Sequence, residues 1–174
     1  RNAVPERGIV IALMTATQES AMRNLAGGDR DSVGVFQQRP SSGWGTVEQI
    51  RNVKNAAEAF YGVADHTSNP GLLDIDRWLD MTPTQAAQAV QRSAYPDAYA
   101  KWWKESVANY AALEPYSASL AQLSAIDGNG VGILANRTNI SCELTTAGMA
   151  VTQNVLVAGL GDKSNLSATA YEAA

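Results

Sequence analysis

Glu19 is the side chain best placed for acid–base chemistry. A carboxyl that protonates a leaving oxygen near neutral pH has to sit in a dry, apolar setting. Glu19 lies near the end of an apolar run that begins after Pro5, with Thr15 and Ala16 one turn back and Ala12 beyond. Side chains this small let a helix lie close to other elements and put the carboxyl at the lip of a cleft. Helical position alone does not separate Glu19 from a solvated surface glutamate, the commoner fate of this residue type. Two more carboxylates, Asp29 and Asp31, follow in the next loop. A two-carboxylate scheme would use one of them to hold a water. The favoured reading of both is structural, because Asp in such a loop caps turns or pairs with a neighbour such as Arg30.

Other chemistries find little support. His66 and Cys142 are the only residues of their types. They make no zinc cluster and no internal disulfide, and they are a poor nucleophile–base pair. Asp127-Gly128-Asn129-Gly130 begins like a calcium loop, but Val131 stands at the next alternate ligand position and the closing Glu is missing, so a turn is expected. Asn136, Asn139 and Asn165 stand in glycosylation-type tripeptides that are read as coincidence. No phosphate-cradling glycine loop is present, and neither a metal nor a cofactor is expected. A net charge of -4 argues against nucleic acid and against an anionic membrane surface. No apolar run is long enough to span a bilayer, so membrane insertion is not expected.

The elements that position Glu19 read as helices joined by loops. A first helix opens at Pro5, where the missing N–H costs nothing, shows a core-facing stripe through Ile9, Leu13 and Ala16, and stops at Gly27-Gly28. A loop from Asp29 to Gly45 follows. A second helix is predicted from Val47 to about Val63, with Ile50, Val53, Ala57, Phe60 and Tyr61 inward. Thr82-Pro83-Thr84-Gln85 is a capped helix start, and that helix runs to about Arg92. Pro96-Asp97 begins the last, through Tyr99, Trp102, Trp103 and Tyr110. Nothing here alternates with the period of a substantial sheet, so residues 1–113 are expected to form a mainly α-helical domain. All four Trp and both Phe fall before residue 104. Residues 114–174 are rich in Ala, Ser, Thr, Gly and Val, with Arg137 and Lys163 as their only cationic side chains. This extension suits either a linker or a further module with short strands. The start at Arg1 rather than Met leads us to expect a piece of a longer, multidomain protein or particle.

Several short motifs occur in a fixed order: Gln18-Glu19-Ser20, Gly28-Asp29-Arg30-Asp31-Ser32, Gly34-Val35-Phe36-Gln37-Gln38-Arg39-Pro40, Gly43-Trp44-Gly45-Thr46 and Ala94-Tyr95-Pro96. Over residues of about 5–110 this resembles the lysozyme-like superfamily. Within it, the resemblance is to soluble lytic transglycosylases and goose-type lysozymes, and more nearly to the transglycosylase-like domains of actinobacterial cell-wall proteins and their phages. The resemblance implies a lysozyme-like helical domain. It also implies cleavage of peptidoglycan glycan strands between N-acetylmuramic acid and N-acetylglucosamine, in the secreted fraction, the envelope or the virion. Glu19 then matches the catalytic acid, and Ser20 the adjacent serine that orients the acid or the sugar. Gln37 matches a glutamine lining the glycan cleft, with Gln38 beside it. Tyr95 is a looser match to a tyrosine near the acid, because Pro96 stands where the family has Asn. Trp44, in a glycine-flanked loop, offers a ring on which a sugar can stack. Phe36 is expected in the core. A transglycosylase needs no second carboxylate, which fits a sequence with one convincing acid. The competing class is a non-catalytic module of the same fold that grips glycan or serves structurally; the intact Glu19 and Gln37 favour the enzyme.

Overall fold

The computed structural model describes residues 4–114. Cys142, the Asp127–Gly130 turn, the three Asn tripeptides and the strand-like stretches of the extension lie outside the described residues. The described chain is mainly α-helical and has no sheet. Its helices are α1 (Glu6–Ser20), α2 (Val47–Arg51), α3 (Val53–Tyr61), α4 (Pro83–Gln91) and α5 (Trp103–Leu113). Two isolated bridges, Leu25 with Gly34 and Val33 with Gln38, pin the loop between α1 and α2.

Helix α1 is the axis of the molecule. Every residue from Gly8 to Thr17 is buried, so the expected single stripe understates it. A helix apolar on all sides has to be covered on all sides, and α3, α4 and α5 pack around it. Its two buried hydroxyls turn back on the helix: Thr15 donates to the Ile11 carbonyl at 2.7 Å and Thr17 to that of Leu13 at 2.8 Å. No polar group in the middle of α1 is therefore left to draw in water.

The end of α1 differs from the sequence expectation. The helix stops at Ser20, well before Gly27-Gly28, because Ala21 and Met22 both take left-handed backbone angles (φ 51 and 60). The Met22 N–H reaches the Ala16 carbonyl at 3.2 Å and the Ala21 N–H that of Thr17 at 2.9 Å, closing the last turn without a glycine. Two consecutive left-handed residues with side chains are unfavourable. Burial of the Met22 side chain and the Ser20 bond to Val35 oppose that cost.

The second predicted helix is two helices. Asn52 (φ -76, ψ 109) closes α2 and caps α3, accepting from the Asn55 N–H at 3.1 Å. A short polar side chain that satisfies the backbone itself can interrupt a helix whose apolar period continues across it. The start of α4 follows the sequence closely. Thr82 and Gln85 form a reciprocal capping box behind Pro83, and the helix ends at Gln91 with Arg92 left-handed. Pro96-Asp97 does not open a helix. Turns carry the chain from Tyr95 to Tyr99, a short 3-10 helix spans Ala100–Trp102, and α5 begins at Trp103.

Phe36 lies in the core, its ring stacked on Phe60 with centroids 4.8 Å apart. Beside it Gly34 (φ 78) passes so close to α2 that a Cβ would sit 2.8 Å from the Ile50 carbonyl. These two positions fasten the Gly34–Gln38 segment to the helical body.

Candidate active site

Glu19 occupies the last turn of α1 and is half-buried. The Tyr99 hydroxyl donates to its Oε1 at 2.7 Å. Tyr99 is fully buried. Burial raises the pKa of its hydroxyl well above the usual tyrosine range; the nearby Ser93 hydroxyl acts against this, and the charge and hydrogen bond of Glu19 add to it. Tyr99 therefore keeps its proton and acts as a fixed donor. With Oε1 occupied, Oε2 has no partner among the described residues and is the atom left to exchange a proton. Beside the carboxyl, Gln18 Oε1 accepts from the Trp102 indole N–H at 2.8 Å, so the turn before α5 is tied to the end of α1 twice.

The tyrosine bonded to Glu19 is Tyr99 rather than Tyr95. Tyr95 is 76 % exposed and makes no hydrogen bond to the Glu19 carboxyl, whereas Tyr99, four residues later, does. The sequence contains two Ala-Tyr pairs, Ala94-Tyr95 and Ala98-Tyr99. Because the chain turns at Pro96 instead of entering a helix there, the second pair reaches α1.

Ser20 is buried and turned inward. Its hydroxyl donates to the Val35 carbonyl at 2.8 Å and accepts from the Arg23 N–H at 3.2 Å. It is a rivet between the end of α1 and the Gly34–Gln38 segment. Gln38 is also largely structural: it borders the cleft described below, but it is 3 % exposed and its amide donates to the Ala56 carbonyl at 3.2 Å. Gln37 is held in a left-handed conformation (φ 49), with its amide donating to the Gly34 carbonyl at 3.0 Å. Its Oε1 lies against Gly28, where no Cβ would fit.

Gln37, Trp44 and Asn69, together with Gln91 and Arg92 at the end of α4, line a cleft of about 260 Å³. Thr67 and Asn69 hold the Trp44 loop in place through bonds to the carbonyls of Gly43 (2.7 Å) and Ser42 (2.9 Å). Glu19 is not among the residues lining this cleft. The two are joined through the chain, since Arg92 is followed by Ser93, which stands next to Tyr99.

Asp31 and Asp29 part company. Asp31 receives the Arg39 guanidinium at 2.7 Å, the Ser41 N–H at 2.7 Å and the Ser41 hydroxyl at 3.0 Å. The backbone bond, then the Arg39 and Ser41 side chains, hold its pKa well below the usual carboxylate range. The Asp29 side chain is 92 % exposed and faces Arg30 loosely, at 3.9 Å. Among the described residues no group of three His, Cys, Asp or Glu could hold a metal ion, and no helix is long and apolar enough to cross a membrane. No protein-family model matches this sequence, and no curated protein matches it.

Proposed function

We propose that this chain is a lysozyme-like module that cleaves peptidoglycan glycan strands at the β-1,4 bond between N-acetylmuramic acid and N-acetylglucosamine, by lytic transglycosylation. The observation that carries this reading is Glu19 on the last turn of a helix buried from Gly8 to Thr17, with one carboxyl oxygen held by the buried Tyr99 hydroxyl. Glu19 Oε2 gives its proton to the glycosidic oxygen as the C1–O bond breaks. The 6-hydroxyl of the same muramyl sugar closes onto C1 and returns its proton to the carboxylate, leaving an anhydro ring and restoring the acid. Asp31 is engaged by Arg39 and Ser41 in a structural tie, and Asp29 projects into solvent. That favours the single-acid scheme over a paired-carboxylate hydrolase.

A non-catalytic glycan-binding module is the second reading, favoured by the separation of Glu19 from the cleft that holds Gln37 and Trp44. Mass spectrometry of digested peptidoglycan separates the alternatives. Anhydro-muramyl ends are expected; reducing ends mean a hydrolase, and the absence of products means a binding module. Glu19→Gln keeps the size of the side chain but not its acidic proton, so turnover should fall by roughly a hundred- to ten-thousand-fold with glycan binding retained. An active Glu19→Gln protein overturns the assignment.

A further inference from the structure

Within this glycan reading, we infer that the cleft beside Gln37 takes the acidic sugar of the strand, and that Arg92 recognises its carboxylate or that of the attached peptide. The inference rests on which polar atoms around the cleft are already engaged. The amide nitrogens of Gln37, Gln91 and Asn69 donate to the carbonyls of Gly34 (3.0 Å), Phe36 (2.8 Å) and Ser42 (2.9 Å). These bonds orient the three amides; Gln37 Oε1 packs against Gly28, and the side-chain oxygens of Gln91 and Asn69 carry no hydrogen bond among the described residues. The cleft therefore offers acceptors, which suit a ligand rich in hydroxyl and amide N–H donors. Trp44 adds an aromatic face for a sugar ring.

Charge supplies the second half. No carboxylate lines this cleft, although the protein as a whole carries a net charge of -4. Of its two arginines, Arg39 is committed to Asp31 and Ser41. The Arg92 guanidinium has no ion pair or hydrogen bond among the described residues. Its backbone is left-handed (φ 50), a conformation disfavoured for a residue with a side chain, and it places Arg92 at the closing residue of α4 on the cleft edge. An acceptor-rich cleft with one uncommitted cation fits a neutral, donor-rich ring bearing a single anionic substituent. It does not fit a polyanion, which needs several cations. A volume of about 260 Å³ lies at the small end of ligand pockets and suits a single ring with its substituents.

The test uses the full chain carrying Glu19→Gln, so that ligand is not consumed, with and without Arg92→Gln. Calorimetry compares three ligands: a disaccharide whose muramic acid keeps a free lactyl carboxylate, the same disaccharide carrying its peptide, in which the lactyl carboxyl is an amide and only the peptide is anionic, and a chito-oligosaccharide, which has no carboxylate. Arg92→Gln should weaken the first if Arg92 reads the lactyl carboxylate, or the second if it reads the peptide, by about ten- to a hundredfold, the scale of a hydrogen bond to a charged group, and leave the chito-oligosaccharide unchanged. Arg92→Lys should fall between, since it keeps the charge and loses the planar fork. If the ligands bind and Arg92→Gln affects all three equally or not at all, the role of Arg92 is overturned and the glycan reading stands. If a folded Glu19→Gln protein binds none of the ligands, the glycan reading fails and the inference falls with it.

Discussion

A carboxyl with one oxygen tied and one free differs chemically from a carboxyl that rotates in solvent. Tyr99 makes that distinction at Glu19, and its own burial keeps it protonated. Tyr99→Phe removes the donor and leaves the ring. If Tyr99 positions the acid, kcat should fall about tenfold while KM stays near its parent value; a change in KM alone would show that the ring acts on the substrate instead. Tyr99 also links stability to pH. Its folded pKa is raised, so its contribution is complete below the unfolded value near 10 and is lost as pH rises above that value. Tyr99→Phe should therefore soften the loss of stability above pH 10. Tyr61, buried and likewise raised, keeps part of that loss in the variant.

At the scale of elements, the loop after α1 carries Gln37 and Trp44, and ties at its base hold it. Asp31 gathers Arg39 and Ser41, Ser20 grips Val35, and Gln91 grips the Phe36 carbonyl. Asp31→Asn weakens the first tie without touching Glu19. It should lower the melting temperature with little loss of turnover, and the loss of stability should be largest at neutral pH. A depressed folded pKa gives stability that is present above the unfolded value near 3.9 and fades as pH falls below it. Loss of turnover in a fully folded Asp31→Asn protein would instead make Asp31 a second catalytic carboxylate.

At the scale of the whole molecule, the core of the described residues closes around α1, and α5 supplies its last buried side chains, Tyr110 and Leu113. α5 ends at Leu113, near the composition change that marks the extension. A chain ending at Glu114 should fold with a cooperative thermal transition and keep the peptidoglycan cleavage proposed for the full chain. A molten product, or folding only when residues 115–174 are restored, would show that the extension completes the core.

Local signals were legible in the sequence. The Thr82-Pro83-Gln85 cap, the helical class and the core position of Phe36 depend on neighbours within a turn or on hydrophobic content. Asn52 was legible in type but not in effect, because an apolar period continues across it and only the competition for backbone bonds decides the break. Glu19 could be singled out from its motif, but its partner could not. The choice between Tyr95 and Tyr99 turns on how the chain bends at Pro96, a matter of four residues that places one tyrosine in solvent and the other against α1. The two loop aspartates look alike as residue types, and Ser20 and Gln38 look like ligand contacts. Tertiary packing gives Asp31 three donors and Asp29 none at close range, and it turns Ser20 and Gln38 inward to satisfy buried carbonyls. The sequence by itself determined which residue types and local elements were present. Tertiary structure decided which polar atoms remained uncommitted, because a buried donor or acceptor takes the partner that folding brings within reach, however far away it lies in the chain.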